Sequence, residues 1–137
     1  MSFVLDTNVV SELKRGTRAD PNVVAWRARY AQEDLFLSVI TTGEIRKGIE
    51  ESHRKDVGKA ANFEHWLGFL EEEFENRILS VTPDISDLWG RLVARSNISP
   101  LDGIIAATAA HFGYTVATRN ERDFQKTGVD FINPFRP

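Results

Sequence analysis

The chain has no cysteine. That excludes disulfides, thiolate metal sites and a thiol nucleophile together, so any metal must bind oxygen or histidine. Long apolar runs are also missing. The stretch from Ile104 to Ala110 is short and carries Thr108, whereas a membrane span needs roughly 18 to 20 apolar residues. A surplus of basic charge is absent too: the net charge is −3, without the strongly basic character usual for a dedicated nucleic-acid binder. Met1-Ser2 passes straight into Phe3-Val4-Leu5 with no basic leader and no small-residue cleavage site. No signal peptide is read there, and a soluble, cytoplasmic protein that does not touch membranes is expected.

What is present suffices for a core. Hydrophobic residues make up 42% of 137 residues, with nine Phe and three Trp, and residues 1–137 are expected to form a single domain. Phe3-Val4-Leu5 reads as a strand ending at Asp6-Thr7-Asn8, followed by a helix up to Gly16. Asp20-Pro21 starts a second helix with a cap acid and a proline at its first position. Leu35 to Val39 is a second strand, and Thr41-Thr42-Gly43-Glu44 opens a helix to about Ser52. After a charged stretch from His53 to Gly58, Phe63, Trp66, Leu67, Leu70 and Phe74 mark the apolar face of a longer helix. Ile78 to Val81 is a third strand, and Thr82-Pro83 and Ser99-Pro100 each start a helix. The second of these runs from Leu101 to about Phe112 and stops at Gly113. Tyr114 to Thr118 is a fourth strand, a helical turn carries Asp123-Phe124, and Val129 to Ile132 is a fifth strand. Short apolar strands separated by amphipathic helices predict an α/β class, three layers deep, with a central parallel sheet of about five strands.

Right-handed crossovers put every strand-to-helix junction on one edge of such a sheet, where open α/β sheets bind ligands. Asp6 ends the first strand, Glu44 follows the second, Asp102 lies in the first turn of its helix, and Asp123 follows the fourth strand. Clustered carboxylates repel one another and persist only when protons or cations neutralise them. A hard divalent cation, Mg²⁺ or Mn²⁺, suits these oxygen ligands. No Ser, Thr or Lys has a base at motif spacing, so water is the attacking group, and a metal-bound water suits phosphodiester hydrolysis. His53, His65 and His111 read as surface or interface residues.

A plainer reading competes. Thr41-x-x-Glu44 and Ser99-x-x-Asp102 both match a helix capping box, in which the acid bonds back to the cap residue. Asp6 could equally be an N-cap and Asp123 a solvated turn acid. Their joint placement at successive strand ends favours chemistry. Two other folds that put acids on the end of a parallel sheet fit less well. A haloacid-dehalogenase phosphatase needs a second Asp where Asn8 stands, and neither it nor a receiver has its late-strand Lys in Thr118-Arg119-Asn120.

Four segments carry a family resemblance: Leu5-Asp6-Thr7-Asn8-Val9-Val10-Ser11-Glu12-Leu13, Thr42-Gly43-Glu44-Ile45-Arg46-Lys47-Gly48, Leu101-Asp102-Gly103-Ile104-Ile105-Ala106-Ala107-Thr108-Ala109, and Ala117-Thr118-Arg119-Asn120-Glu121-Arg122-Asp123-Phe124. In this order they resemble PIN-domain toxins of the VapC group, particularly the FitB-like branch. The resemblance runs from Phe3 to Phe135. It implies a PIN fold with Mg²⁺- or Mn²⁺-dependent endoribonuclease activity, acting as the toxin of a toxin–antitoxin pair. Asp6, Glu44, Asp102 and Asp123 match the family's acidic, metal-binding positions, with Asp6 and Asp102 as direct ligands. Thr7, Asn8, Thr118 and Asn120 match the polar residues that orient carboxylates and water. Other branches often carry an acid where Asn120 stands, so either Asn120 or Asp123 completes the metal shell. The resemblance further implies a homodimer and a cognate antitoxin, with operator DNA bound only through that antitoxin. Arg46, Lys47, Arg119 and Arg122 flank the acids and are expected to contact RNA. Trp26, Tyr30, Trp66, Phe69 and Trp89 exceed what a core of this size readily places; aromatic residues are common interface anchors, and core packing is expected for most of them. The rival function is a non-catalytic acidic pocket that receives a basic peptide, a regulatory module of a toxin–antitoxin-like DNA-binding complex.

Overall fold

A computed structural model describes residues 1–137. Its strands are β1 (Phe3–Leu5), β2 (Leu35–Ser38), β3 (Ile78–Leu79), β4 (Thr115–Ala117) and β5 (Phe131–Ile132). They form one sheet in the order β3-β2-β1-β4-β5, and each pairing is parallel. The helices are α1 (Thr7–Lys14), α2 (Pro21–Ala28), α3 (Val39–His53), α4 (Val57–Glu73), α5 (Pro83–Ser96), α6 (Pro100–Phe112) and α7 (Glu121–Gln125). None is long and apolar enough to cross a membrane.

Successive strand residues point to opposite faces, and this sequence fills both with apolar side chains. Phe3, Leu5, Leu35 and Leu37 join Val9, Trp26, Ile49 and Leu67 in one core beneath α1 to α4. Val4 and Val116 join Leu92, Ile105, Ala106 and Phe124 in a second core on the other face. The three-layer α/β/α architecture with a central parallel sheet, expected from the strand pattern, is the one observed. Trp26 and Tyr30 belong to the first core, packed edge-on to Phe3 at ring-centre distances of 5.1 and 4.6 Å. Phe69 is 62% exposed, Trp66 and Trp89 are half-buried, and the three histidines are exposed.

The caps follow the sequence except at one helix. Asp20 accepts from the Asn22 N–H at 2.8 Å, and Thr82 and Ser99 cap α5 and α6 as their proline-led starts indicate. Helix α3, however, begins at Val39 instead of Thr41. Ser38 is its N-cap and accepts from the Ile40 N–H at 3.1 Å. The β-branched pair Val39-Ile40 favours a strand locally, and the buried Ser38 hydroxyl overrides that preference by capping the helix. Strands β3 and β5 are also shorter than the apolar runs that contain them, as edge strands commonly are.

The chain moves outward from β1 through β2 to β3 and then returns to place β4 on the other side of β1. The crevice between the C-terminal ends of β1 and β4 is therefore a topological switch point.

Candidate active site

Asp6 leaves the end of β1 at that switch point and is only 5% exposed. Its Oδ1 accepts from the Thr7 N–H at 2.8 Å, so it caps α1 as the plainer reading allows. Its Oδ2 takes the Thr118 hydroxyl at 2.7 Å and the Asn8 side-chain amide at 3.1 Å. Burial nevertheless pushes its pKa up, against the opposing effect of these three donors. Asn8 also accepts the Arg119 N–H at 3.1 Å, which ties the β1 and β4 junctions together.

The other acids join through neutral side chains. Thr118 accepts the Asn120 N–H at 2.9 Å, and the Asn120 amide donates to Asp102 at 3.2 Å and to Asp123 at 2.9 Å. Across the crevice, the Thr7 hydroxyl donates to Glu44 at 2.8 Å. All four carboxylates thus enter one network through Thr7, Thr118 and Asn120.

The two capping-box matches separate here. Because α3 starts at Val39, Thr41 is inside the helix and buried, and Glu44 bonds to Thr7 across 37 residues instead of back to a cap. Ser99 does cap α6 by accepting the Asp102 N–H at 3.3 Å, but the Asp102 carboxylate turns to Asn120. Neither acid completes a capping box.

Asp102 shows what this arrangement costs. Its pKa rises to about 6, first through burial and then through the charges of Asp6, Asp123 and Glu44. Only Asp123 has a cation nearby, Lys126 at 3.6 Å. The Asn120 amide and then Lys126 hold Asp123 below the usual carboxylate range. No three of these acids converge closely enough to form a ready-made metal cage. Mutual repulsion, with an amide and hydroxyls set between the carboxylates, is the physical reason. The donor set still fits a hard cation: the four candidate donors are all carboxylates, Asp6 is buried, and Asp6, Glu44 and Asp102 have no cation within ion-pair distance.

The four basic residues near the acids differ in their commitments. Arg46 forms a double hydrogen bond to Glu64 on α4 at 2.7 and 2.6 Å, and Lys47 lies 3.6 Å from Glu51. Arg119 stacks over the Phe135 ring at 4.6 Å, and Arg122 is exposed with no ion-pair partner. Two supports of the site carry no mark in local sequence. A Cβ on Gly103 would lie 2.4 Å from Val93 Cγ2, so only glycine lets α5 approach α6 this closely beside Asp102. Trp89 donates its indole N–H to the Pro100 carbonyl at 2.9 Å in the same turn.

Residues 3–130 match the PIN domain. The chain is 38% identical to the VapC ribonuclease Y4jK of Sinorhizobium fredii, over 98% of this chain and 99% of that one. It is 35% identical to the toxin FitB of Neisseria gonorrhoeae, over 97% and 98% of the two chains. It also superimposes on the crystal structure of FitAcB from Neisseria gonorrhoeae with a TM-score of 0.85 at 32% identity, covering 98% of this chain and 99% of that one.

Proposed function

The chain belongs to the PIN-domain family, and from that premise we propose that it is a Mg²⁺- or Mn²⁺-dependent endoribonuclease, the toxin of a toxin–antitoxin pair. The observation that carries this reading is the switch-point network, in which Asp102 feels the charges of Asp6 and Glu44 and none of the three has a cation within ion-pair distance. Similarity to a VapC ribonuclease and to the toxin FitB along nearly the whole chain supports the nuclease and toxin assignments.

In this reading Asp6 and Asp102 hold the metal directly, and Glu44 and Asp123 support it or its water. A divalent ion bound there lowers the pKa of a water and neutralises charge that builds on a phosphoryl oxygen. The chain's own side chains orient these donors. Thr118 and Asn8 fix the Asp6 carboxylate, Asn120 holds Asp102 beside Asp123, and Thr7 keeps Glu44 turned into the crevice.

The proposal extends to partners. A cognate antitoxin is assigned to the apolar groove of about 330 Å³ whose lining includes Leu13, Arg27, buried Phe74 and exposed Phe69. Operator DNA is then bound only through that antitoxin. A homodimer, which the family resemblance implies, belongs to the same reading, and residues 1–137 act as one domain in the cytoplasm. Cleavage of structured and single-stranded RNAs by protein freed of any partner tests the activity. Mg²⁺ or Mn²⁺ should be required, and Asp102→Asn should remove cleavage while the fold is kept. Intact RNA under all metals and substrates would instead favour a non-catalytic acidic pocket.

A further inference from the structure

A chain with net charge −3 cannot hold RNA on a broadly basic surface, and Arg46 and Lys47 beside Glu44 are engaged with Glu64 and Glu51. Another feature adjoins the acids. On α4, Phe63 and Trp66 are half-buried at the rim of the first core, with ring centres 6.3 Å apart and planes tilted by 49°. The Lys14 ammonium lies 4.3 Å from the Phe63 ring centre and 5.3 Å from that of Trp66. Both rings line a pocket of about 150 Å³ whose other walls include Thr7, Ser11 and Glu44. The aromatic pocket and the carboxylate network therefore share two residues.

Aromatic faces interleaved with a cation are the composition that holds single-stranded nucleic acid, with bases stacking on rings and a phosphate meeting the charge. A lysine stem covering exposed apolar surface is the plainer explanation of Lys14. It does not account for a pocket left open between these rings and a catalytic-site carboxylate. We propose that Phe63, Trp66 and Lys14 form a base-stacking subsite for a nucleotide next to the scissile phosphate of single-stranded RNA. This rests on the nuclease reading for the identity of the neighbouring site. Lys14 and Trp66 also border the larger apolar groove, so a protein segment is the competing occupant.

Binding without cleavage separates the possibilities. The full chain in excess chelator is titrated with a short unstructured RNA, followed by tryptophan emission and by anisotropy of labelled RNA. Trp26 is buried in the core and Trp89 is half-buried beside Asp102, so the quenching due to Trp66 is read as the difference between wild type and Trp66→Leu, which is expected to lose a large part of the signal. RNA affinity should fall roughly tenfold in Phe63→Leu and in Trp66→Leu. Lys14→Gln, at an exposed position that does not threaten the fold, should weaken binding and flatten its salt dependence by about one unit of slope. In the metal-loaded protein the same variants should raise KM for RNA while kcat and Mn²⁺ affinity stay within about twofold, the pattern of lost uniform binding. Unchanged RNA affinity in all three folded variants would overturn the subsite, as would variants that lose only the binding of an antitoxin peptide. Quenching by RNA in a protein that never cleaves would overturn the nuclease reading and leave the subsite standing.

Discussion

Two sets of carboxylates in this molecule are treated in opposite ways. On the outer surface of α3 and α4, Glu64 meets Arg46 and Glu51 meets Lys47, at exposed positions. At the switch point, Asp6, Glu44 and Asp102 receive only hydroxyl and amide donors. Exposed pairs of the first kind add little stability, because water already solvates both partners. The second kind is held at a cost that a bound cation would relieve, and this is the behaviour of a site kept for function.

Removing a carboxylate from each region should expose the contrast most strongly. Asp6→Asn is expected to lower RNA cleavage by at least about 100-fold, the upper end of losses seen when even outer partners of a metal are removed. Glu64→Gln should leave the rate unchanged in the same assay. Breaking the support of the inner set comes next. Gly103→Ala forces a methyl group to 2.4 Å from Val93 and should cost about 1–3 kcal/mol in a denaturant titration, together with activity. Gly90→Ala, on the same α5 but facing open space, is the control and should be neutral or slightly stabilising.

A smaller effect follows from pH. In metal-free protein Asp102 has a folded pKa of about 6 against an ordinary 3.8. A raised folded pKa favours the protonated form on folding. Its contribution is therefore full below about pH 4 and is lost as pH rises through about 6. Thermal melts in chelator should show wild type losing stability across that window, with Asp102→Asn markedly flatter. Adding Mn²⁺ at pH 7 should restore the wild type and not the variant. The smallest effect belongs to the outer set: Arg46→Ala should leave the melting temperature unmoved at physiological salt.

Much of this contrast was legible in the sequence, and the limits have physical causes. Asp20-Pro21, Thr82-Pro83 and Ser99-Pro100 announce their helices because capping is a local interaction, confined to neighbouring residues. The strand end bearing Asp6 and the end of β4, beyond which α7 carries Asp123, are readable because apolar runs stop abruptly there. Helix α3 starts two residues earlier than its local sequence indicates, because Val39-Ile40 prefer a strand in isolation while Ser38, buried by tertiary packing, starts a helix. That shift mattered, since it turned Glu44 from an apparent capping acid into the partner of Thr7. The bridge from Asn120 to Asp102 and the contact of Gly103 with Val93 lie between elements brought together only by the fold, and no local pattern marks them.

Direct measurement of Mn²⁺ binding to the metal-free chain, by calorimetry and by the spin signal of the free ion, tests the contrast at its root. Wild type and Glu64→Gln should bind Mn²⁺ saturably with equal affinity, and Asp102→Asn should lose that binding while remaining folded. Equal binding by all three proteins, or none by wild type, would contradict the claim that the switch-point carboxylates form the cation site.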